Sequence, residues 1–336
     1  MAQRFVGFGD LLLRLDAKLH SRLVQAEEFA ARYTGAEANV AVSLTLFGWS
    51  TWVVSKVPAH EIGDACIAHL RRHGVQADFI ARGGDRLGIL YVETGAAQRP
   101  TKVVYDRTGS SFRTASPEDF DWSRILEGKD WFHASGTAPA SGPGVLEILE
   151  EGLAAAGDLG LTVSIDCNYR SKLWSAEAAG RTIAALLPSA DLFLASPHDA
   201  AALFGIAPEP GLAALDAARR QAAELSRRFG LRAVAMTLRD DASASHGRIQ
   251  GLLHADGDSF ASRAYEFPIV DRIGAGDAFA AGVIHGLACG WKREETVEFA
   301  TAAACLKHSI PGDFNLVTVD EVRDVMAGGG GGQVSR

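Results

Sequence analysis

Asp271-Arg-Ile-Gly274-Ala275-Gly276-Asp277-Ala-Phe279 leads into Ala280–Gly290, a small-residue apolar run with the length of a buried helix. A Gly-Ala-Gly turn feeding a helix presents unpaired backbone N–H groups at the positive end of the helix dipole, which makes it an anion site. Glycine matters there because a Cβ would hold a phosphate away. The carboxylate of Asp277 would repel a merely bound phosphate, so its place in the turn makes sense if it faces a hydroxyl that attacks the phosphate and takes that proton. The plain alternative is a helix start capped by an ordinary Asp.

Upstream of this turn, from about residue 117, short β-rich runs alternate with longer Ala/Leu-rich helical patterns, the mark of βα units on a parallel sheet. The spacing predicts strands at 131–134, 161–167, 191–195 and 233–237, with helices around 144–156, 176–187 and 212–229. The last helix runs Leu215, Ala218, Ala222, Leu225 and Phe229 down one face and belongs on a sheet. The first 115 residues read differently. After a strand at 5–9, mixed apolar and polar stretches at 11–15, 87–93 and 102–105 suggest a small antiparallel sheet, with helices at 38–47 and 61–73. A sheet drawn from segments so far apart is an excursion from the main domain, that is, a lid. The expectation is one α/β domain over 1–327 with a discontinuous β lid from about 11–33 and 86–112. The glycine run that opens the tail at 328–336 reads as disordered.

The chain has 336 residues, 47% of them apolar, with 33 Lys+Arg against 41 Asp+Glu and a net charge of −8. That acidic balance lacks the summed positive potential that draws nucleic acid or anionic lipid, so small anions need local features to hold them. Cys66, Cys167, Cys289 and Cys305 form no C-x-x-C pair, which argues against a zinc site or a disulfide framework. The amino terminus lacks a secretion-type apolar stretch, and no run reaches the ~20 apolar residues of a membrane helix. A cytoplasmic location is expected, with neither nucleic acid nor membrane as partner.

Asp-x-x-Gly-Ala-Gly-Asp-x-Phe resembles the carboxy-terminal signature of the PfkB, or ribokinase-like, family of carbohydrate kinases. Tyr33-Thr-Gly35-Ala36-Glu37-Ala38-Asn39-Val-Ala41 resembles that family's early Gly-Gly-x-x-x-Asn-x-Ala segment, with Thr34 at the first glycine. The resemblance implies a three-layer α/β/α fold with a mostly parallel central sheet and a small β-sheet lid. Further segments resemble the 2-keto-3-deoxygluconate kinase group: 85–93, Arg99–Arg107, Ile165–Trp174 and 306–315. The matches spread from Gly7 to about Val325.

What the resemblance implies for individual residues follows from those segments. Asp277 would be the catalytic base, with Gly274, Ala275 and Gly276 stabilising charge on the moving phosphoryl group. Asp10, Gly35, Ala36, Asn39, Tyr91, Tyr105, Arg107, Arg170 and Asp313 would line the acceptor pocket. The planar forks of Arg107 and Arg170 suit a carboxylate, although each could instead pair with a surface acid. Asn168, Arg170, Ser196, Thr237, Arg239, Gly274 and Gly276 would meet the nucleotide, with adenine resting near Ala303. Thr237-Leu-Arg239-Asp240 stands where the family has a glycine-bearing phosphate loop, here without glycine through His246. The family's Asn-x-x-Glu, which organises magnesium through water, is Ser196-Pro-His-Asp199, leaving Asp199 as a single carboxylate. ATP and Mg²⁺ are the implied cofactors, a monovalent cation is left open, and a homo-oligomer, dimer or higher, is expected.

Rival motifs fail on inspection. The third glycine of a dinucleotide G-x-G-x-x-G after Gly7-Phe-Gly9 would fall at Leu12, and no G-x-x-x-x-G-K-[ST] occurs. The reading is ATP-dependent phosphorylation of 2-keto-3-deoxygluconate, with another sugar or sugar acid (2-keto-3-deoxygalactonate, fructose, ribose or a nucleoside) as the enzymatic alternative. A sugar-acid-binding pseudokinase is the non-enzymatic one.

Overall fold

The computed structural model describes residues 2–240 and 243–329. In chain order the first half runs β1 (Arg4–Phe8), β2 (Leu12–Ala17), β3 (Phe29–Thr34), α1 (Ala36–Leu46), β4 (Ser50–Val57), α2 (Glu61–Arg72), β5 (Ile80–Arg82), β6 (Gly88–Glu93) and β7 (Lys102–Asp106). Then come α3 (Trp122–Leu126), β8 (Trp131–Ser135), α4 (Pro143–Asp158), β9 (Thr162–Asp166), α5 (Ala176–Leu186), β10 (Leu192–Ala195), α6 (Pro197–Phe204) and α7 (Ala214–Phe229). The chain ends with β11 (Ala233–Asp240), β12 (His246–Ala255), β13 (Asp258–Pro268), α8 (Ala275–Ala288), α9 (Arg293–Lys307) and α10 (Val319–Met326).

Side chains one residue apart on a strand point to opposite faces, and the buried strands use both. On β1, Phe5 packs with Val53, Leu194 and Ala235 under α1, α8 and α9. Val6 and Phe8 turn the other way and pack with Val54, Phe193 and Val234 under α4 and α7. The result is a nine-stranded sheet, ordered β13-β12-β11-β10-β9-β8-β1-β4-β5, with a helical layer on each face. Its strands from β11 to β5 run parallel, and β12 and β13 add antiparallel. A second sheet, ordered β3-β2-β6-β7, is drawn from the segments read as an excursion. It is mixed rather than antiparallel: β2 pairs with β6 in parallel, while β2–β3 and β6–β7 run antiparallel.

Two further differences concern the main sheet. Its outer strands β4 and β5 lie within the first 115 residues. Thr51 and Ser55 interrupt the apolar run of β4 and mask its signal, yet both are fully buried. At the other end, β11 continues to Asp240 instead of stopping at Thr237, because β12 pairs with it from Ala233 through Asp240. Of the tail, Gly328 and Gly329 donate their N–H groups to the carbonyls of Val325 and Asp324 and close α10. The remainder, 330–336, lies outside the described residues.

Candidate active site

The parallel strands end on one edge of the sheet, where an open α/β fold leaves a crevice for ligands. Residues just beyond β1, β8, β9 and β10 (Asp10, Thr137, Asn168 and Ser196) line a cavity of about 890 Å³ there, and the second sheet covers it with Leu90, Val103 and Tyr105. Five contacts hold that sheet down. Arg14 of β2 pairs with Asp313 and, at 2.7 Å, with Asp271. Lys172 Nζ donates to the Val103 carbonyl at 2.7 Å. In the β6–β7 connection, the Ala97 N–H donates to Ser245 Oγ at 2.9 Å and its carbonyl accepts from the Ala244 N–H at 2.8 Å.

The turn at 271–277 enters the cavity as the start of α8, with Gly274 at the N-cap in the left-handed region, φ 87°. A Cβ on Gly274 would stand 2.0 Å from the Asp313 carbonyl oxygen, so this glycine serves the approach of the 312–313 segment as well as the turn. Gly276 is the glycine that opens onto the cavity; the nearest atom to a Cβ built there is Arg239 Nη2, at 3.6 Å. First-turn N–H groups have no carbonyl four residues back to bond, so those of Gly276 and Asp277 can serve an anion. The Ala275 N–H instead donates to the Arg272 carbonyl at 3.4 Å, and Ala275 is buried away from the cavity.

Asp277 is 9% exposed and accepts a 2.6 Å hydrogen bond from Asn39 Nδ2. The amide is oriented by Thr34, whose hydroxyl donates to Asn39 Oδ1 at 3.2 Å. Burial pushes the Asp277 carboxyl up to about 6, against the pull of the Asn39 hydrogen bond and of Arg170 and Arg239. It is therefore mostly ionised at neutral pH and placed to accept a proton. Nearby, burial and the Asp277 charge raise Asp166 to about 7. Glu37, buried in the first turn of α1 with Ser135 donating to its Oε1 at 2.6 Å, is raised to about 8 by burial first.

At the far end of the cavity, burial raises Asp10 to about 6 although Arg107 and Arg113 oppose it. Neither Asp10 oxygen has a hydrogen-bond partner, and Arg107 Nη1 stands 3.7 Å away with its guanidinium 4.6 Å from the centre of the Tyr105 ring. Buried polar atoms left without partners inside a cavity are suited to ligand hydroxyls.

Of the residues singled out in the sequence, Asp10, Gly35, Ala36, Asn39, Tyr105, Arg107, Asn168, Arg170, Ser196, Asp199, Thr237, Arg239, Gly274, Gly276, Asp277 and Asp313 all line this one cavity. Tyr91, Ala275 and Ala303 do not. Strand alternation puts Leu90 on the cavity side and turns Tyr91 toward Phe29, ring centroids 6.0 Å apart. Ala303 is fully buried in the α9 core. Thr237 and Arg239 face the cavity from within β11 rather than from a loop beyond it. Asp199 caps α6: one carboxylate oxygen accepts from the Ser196 N–H at 2.9 Å and from its hydroxyl at 2.7 Å. Sequence reading passed over Asp166, Arg14 and Lys307. Asp166 and Lys307 both lay in quoted segments, Ile165–Trp174 and 306–315, and Arg14 lay in the predicted strand at 11–15, without being singled out.

No helix is long and apolar enough to cross a membrane among the described residues. The profile of the pfkB family carbohydrate kinases matches residues 2–315. The chain is 34% identical to a 2-dehydro-3-deoxygalactonokinase of Haloferax volcanii over 99% of both chains. It is 26% identical to a 2-dehydro-3-deoxygluconokinase of Bacillus subtilis, covering 92% of this chain and 91% of that one. Among solved structures, a 2-dehydro-3-deoxygluconokinase of Thermotoga maritima superposes with a TM-score of 0.94 at 42% identity, over 97% of this chain and 99% of that one. Fold, cavity and family profile agree: this chain belongs to the pfkB family of carbohydrate kinases.

Proposed function

We propose that this carbohydrate kinase transfers the γ-phosphoryl group of ATP to the primary hydroxyl of 2-keto-3-deoxygluconate, yielding the 6-phospho product and ADP. The observation that carries the acid assignment is the pair of guanidinium groups, Arg107 and Arg170, on a cavity that Asp10, Asn39, Tyr105 and Asp313 also line. A carboxylate matches the planar guanidinium fork with two parallel hydrogen bonds, and a sugar acid carries that group permanently where a neutral sugar does not. Asp10 would take sugar hydroxyls, and Asp277 would orient the attacking hydroxyl and receive its proton as the P–O bond forms. The N–H groups of Gly276 and Asp277, with Arg239 above them, would carry the charge that develops on the phosphoryl oxygens. The second sheet is the lid that keeps water out, since water reaching the phosphate would hydrolyse ATP instead.

No three acidic, His or Cys side chains among the described residues converge as a metal cage. That suits magnesium carried on the nucleotide phosphates, which needs only one or two protein carboxylates; the recessed Asp166 and the outer oxygen of Asp199 on the same wall are the candidates. When bound, magnesium neutralises phosphate charge. Every residue named for the site comes from one chain.

The sugar with the opposite configuration at C4, 2-keto-3-deoxygalactonate, is the second reading, favoured by the 34% identical relative named for it. A coupled ADP-release assay on both acids, ribose, fructose and adenosine tests the proposal. The expected outcome is turnover on 2-keto-3-deoxygluconate with kcat/KM above that on every other acceptor. Preference for the C4 epimer moves the assignment to it, and turnover on neutral sugars alone overturns the acid reading. In the same assay Asp277→Asn should lose on the order of 10²–10⁴-fold in kcat with little change in either KM.

A further inference from the structure

Lys307, the last residue of α9, is fully buried, although among the described residues no carboxylate oxygen accepts a hydrogen bond from it. Its ammonium donates to two main-chain carbonyls: that of Ile310 at 2.9 Å and that of Asp271 at 3.3 Å. These carbonyls come from the two segments that build the anion turn. One segment, 270–274, leads into Gly274; the other, 308–313, carries Asp313, whose carbonyl packs against Gly274.

The same two segments are joined around the ammonium. The N–H groups of Val270 and Asp271 share the His308 carbonyl, at 2.8 and 3.2 Å. The Asp271 carboxylate accepts from the N–H groups of Ile273 at 3.1 Å and Gly312 at 2.9 Å. Two carbonyl dipoles aimed into a dry interior repel each other and are costly without a positive group between them. Lys307 supplies that group. Burial pushes its pKa down, the carboxylates of Asp271, Asp313 and Asp277 push it up, and Arg14 opposes them.

Converging carbonyls beside an anion site are what a bound monovalent cation requires, and here the convergence is already filled by a side chain. The residues therefore do not fit an added ion. We infer that Lys307 is a positioning residue, a covalently attached cation that sets the Gly274–Asp277 turn and frees the reaction from any need for potassium. The inference rests on the kinase reading for its catalytic arm but not for its binding arm.

Both arms can be read on the full-length chain. Wild-type kcat measured in a tetramethylammonium buffer should stay within about twofold on adding KCl, NH₄Cl or NaCl. Lys307→Met should lower kcat by roughly ten- to a hundredfold with a smaller change in KM for ATP, and KCl or NH₄Cl, but not LiCl or tetramethylammonium chloride, should restore part of it. Independently of turnover, the melting temperature of Lys307→Met should rise with K⁺ more than with tetramethylammonium, while that of the wild type should not.

Strong potassium activation of the wild type overturns the inference, and that arm holds even if the variant does not fold. A folded Lys307→Met with unchanged kcat, or a loss that no cation repairs, overturns it too. Absence of wild-type turnover on every acceptor would defeat the kinase reading instead, leaving the melting experiment to decide whether the site binds a cation.

Discussion

Asn39 tempers the rise in the pKa of Asp277, the proposed base. Its Nδ2 is 2.6 Å from Asp277 Oδ2, and the hydrogen bond offsets part of the burial that lifts that carboxyl to about 6. Proton acceptance needs the ionised form, so kcat/KM should fall as pH drops below about 6 and level off above it. Asn39→Ala removes the offset, and the acidic limb should move to higher pH while the plateau falls less than in Asp277→Asn. A pH–rate profile with an unmoved limb would show that Asn39 acts only through the acceptor. Thr34 matters in the same chain of contacts, because its hydroxyl leaves the amide N–H₂ facing Asp277. Asn39 and Asp277 were readable as separate candidates from their motifs. Their contact was not, since 238 residues separate them.

At the scale of elements, β2 is the strand that ties the second sheet, the proposed lid, to the turn at 271–277. Arg14 is 1% exposed and pairs with Asp16 of its own strand and with Asp271 and Asp313 of the main domain. Removing one member of a buried charge network leaves the others uncompensated, at about 3–5 kcal/mol. Arg14→Met should therefore lower the melting temperature and also raise ATP hydrolysis without acceptor relative to phosphoryl transfer, because a loosened lid admits water. A lower melting temperature with an unchanged hydrolysis-to-transfer ratio would mean the network is only structural. Three of that sheet's four strands, β2, β6 and β7, were legible from their mixed polarity and wide spacing; β3 was not read as a strand. Their parallel β2–β6 pairing was not, because alternation along a strand carries no information about the direction of its neighbour.

Across the whole molecule, the active-site edge concentrates carboxylates that the fold keeps from ionising freely. Asp10, Asp166, Asp277 and Glu37 are all raised, with burial as the first cause. A carboxyl whose folded pKa lies above its unfolded value contributes most stability while both states are protonated and loses it as pH rises toward the folded pKa. For Glu37 that window runs from its ordinary 4.5 to about 8. Relative to Glu37→Gln, the wild type should lose stability across pH 5–8 by up to ~1.4 kcal/mol per pH unit and then run parallel to the variant. Melting curves of the two proteins over pH 5–9 check this, and a constant offset throughout would show that Glu37 is ionised in the folded state. Arg107 and Arg113 oppose the shift at Asp10, and Arg170 opposes it at Asp166 and Asp277, whereas among the described residues Glu37 has no cation against it.

Sequence alone determined the local chemistry: a glycine turn that must expose N–H groups, an Asp within it, two arginines in strand and loop segments, and the βα alternation that makes a parallel sheet. Those features depend on residues within a few positions of one another, where backbone geometry and periodicity act directly. Only the tertiary structure decided which of them share a cavity, that Tyr91 turns away from it, and that Thr237 lies inside a strand held straight by β12. It also decided that Asp271 and Asp313, 42 positions apart in the chain, meet around Arg14 and Lys307. The reason is physical: the cost of burying a charge is set by which distant groups fold against it, and that partner is fixed by packing rather than by neighbours in the chain.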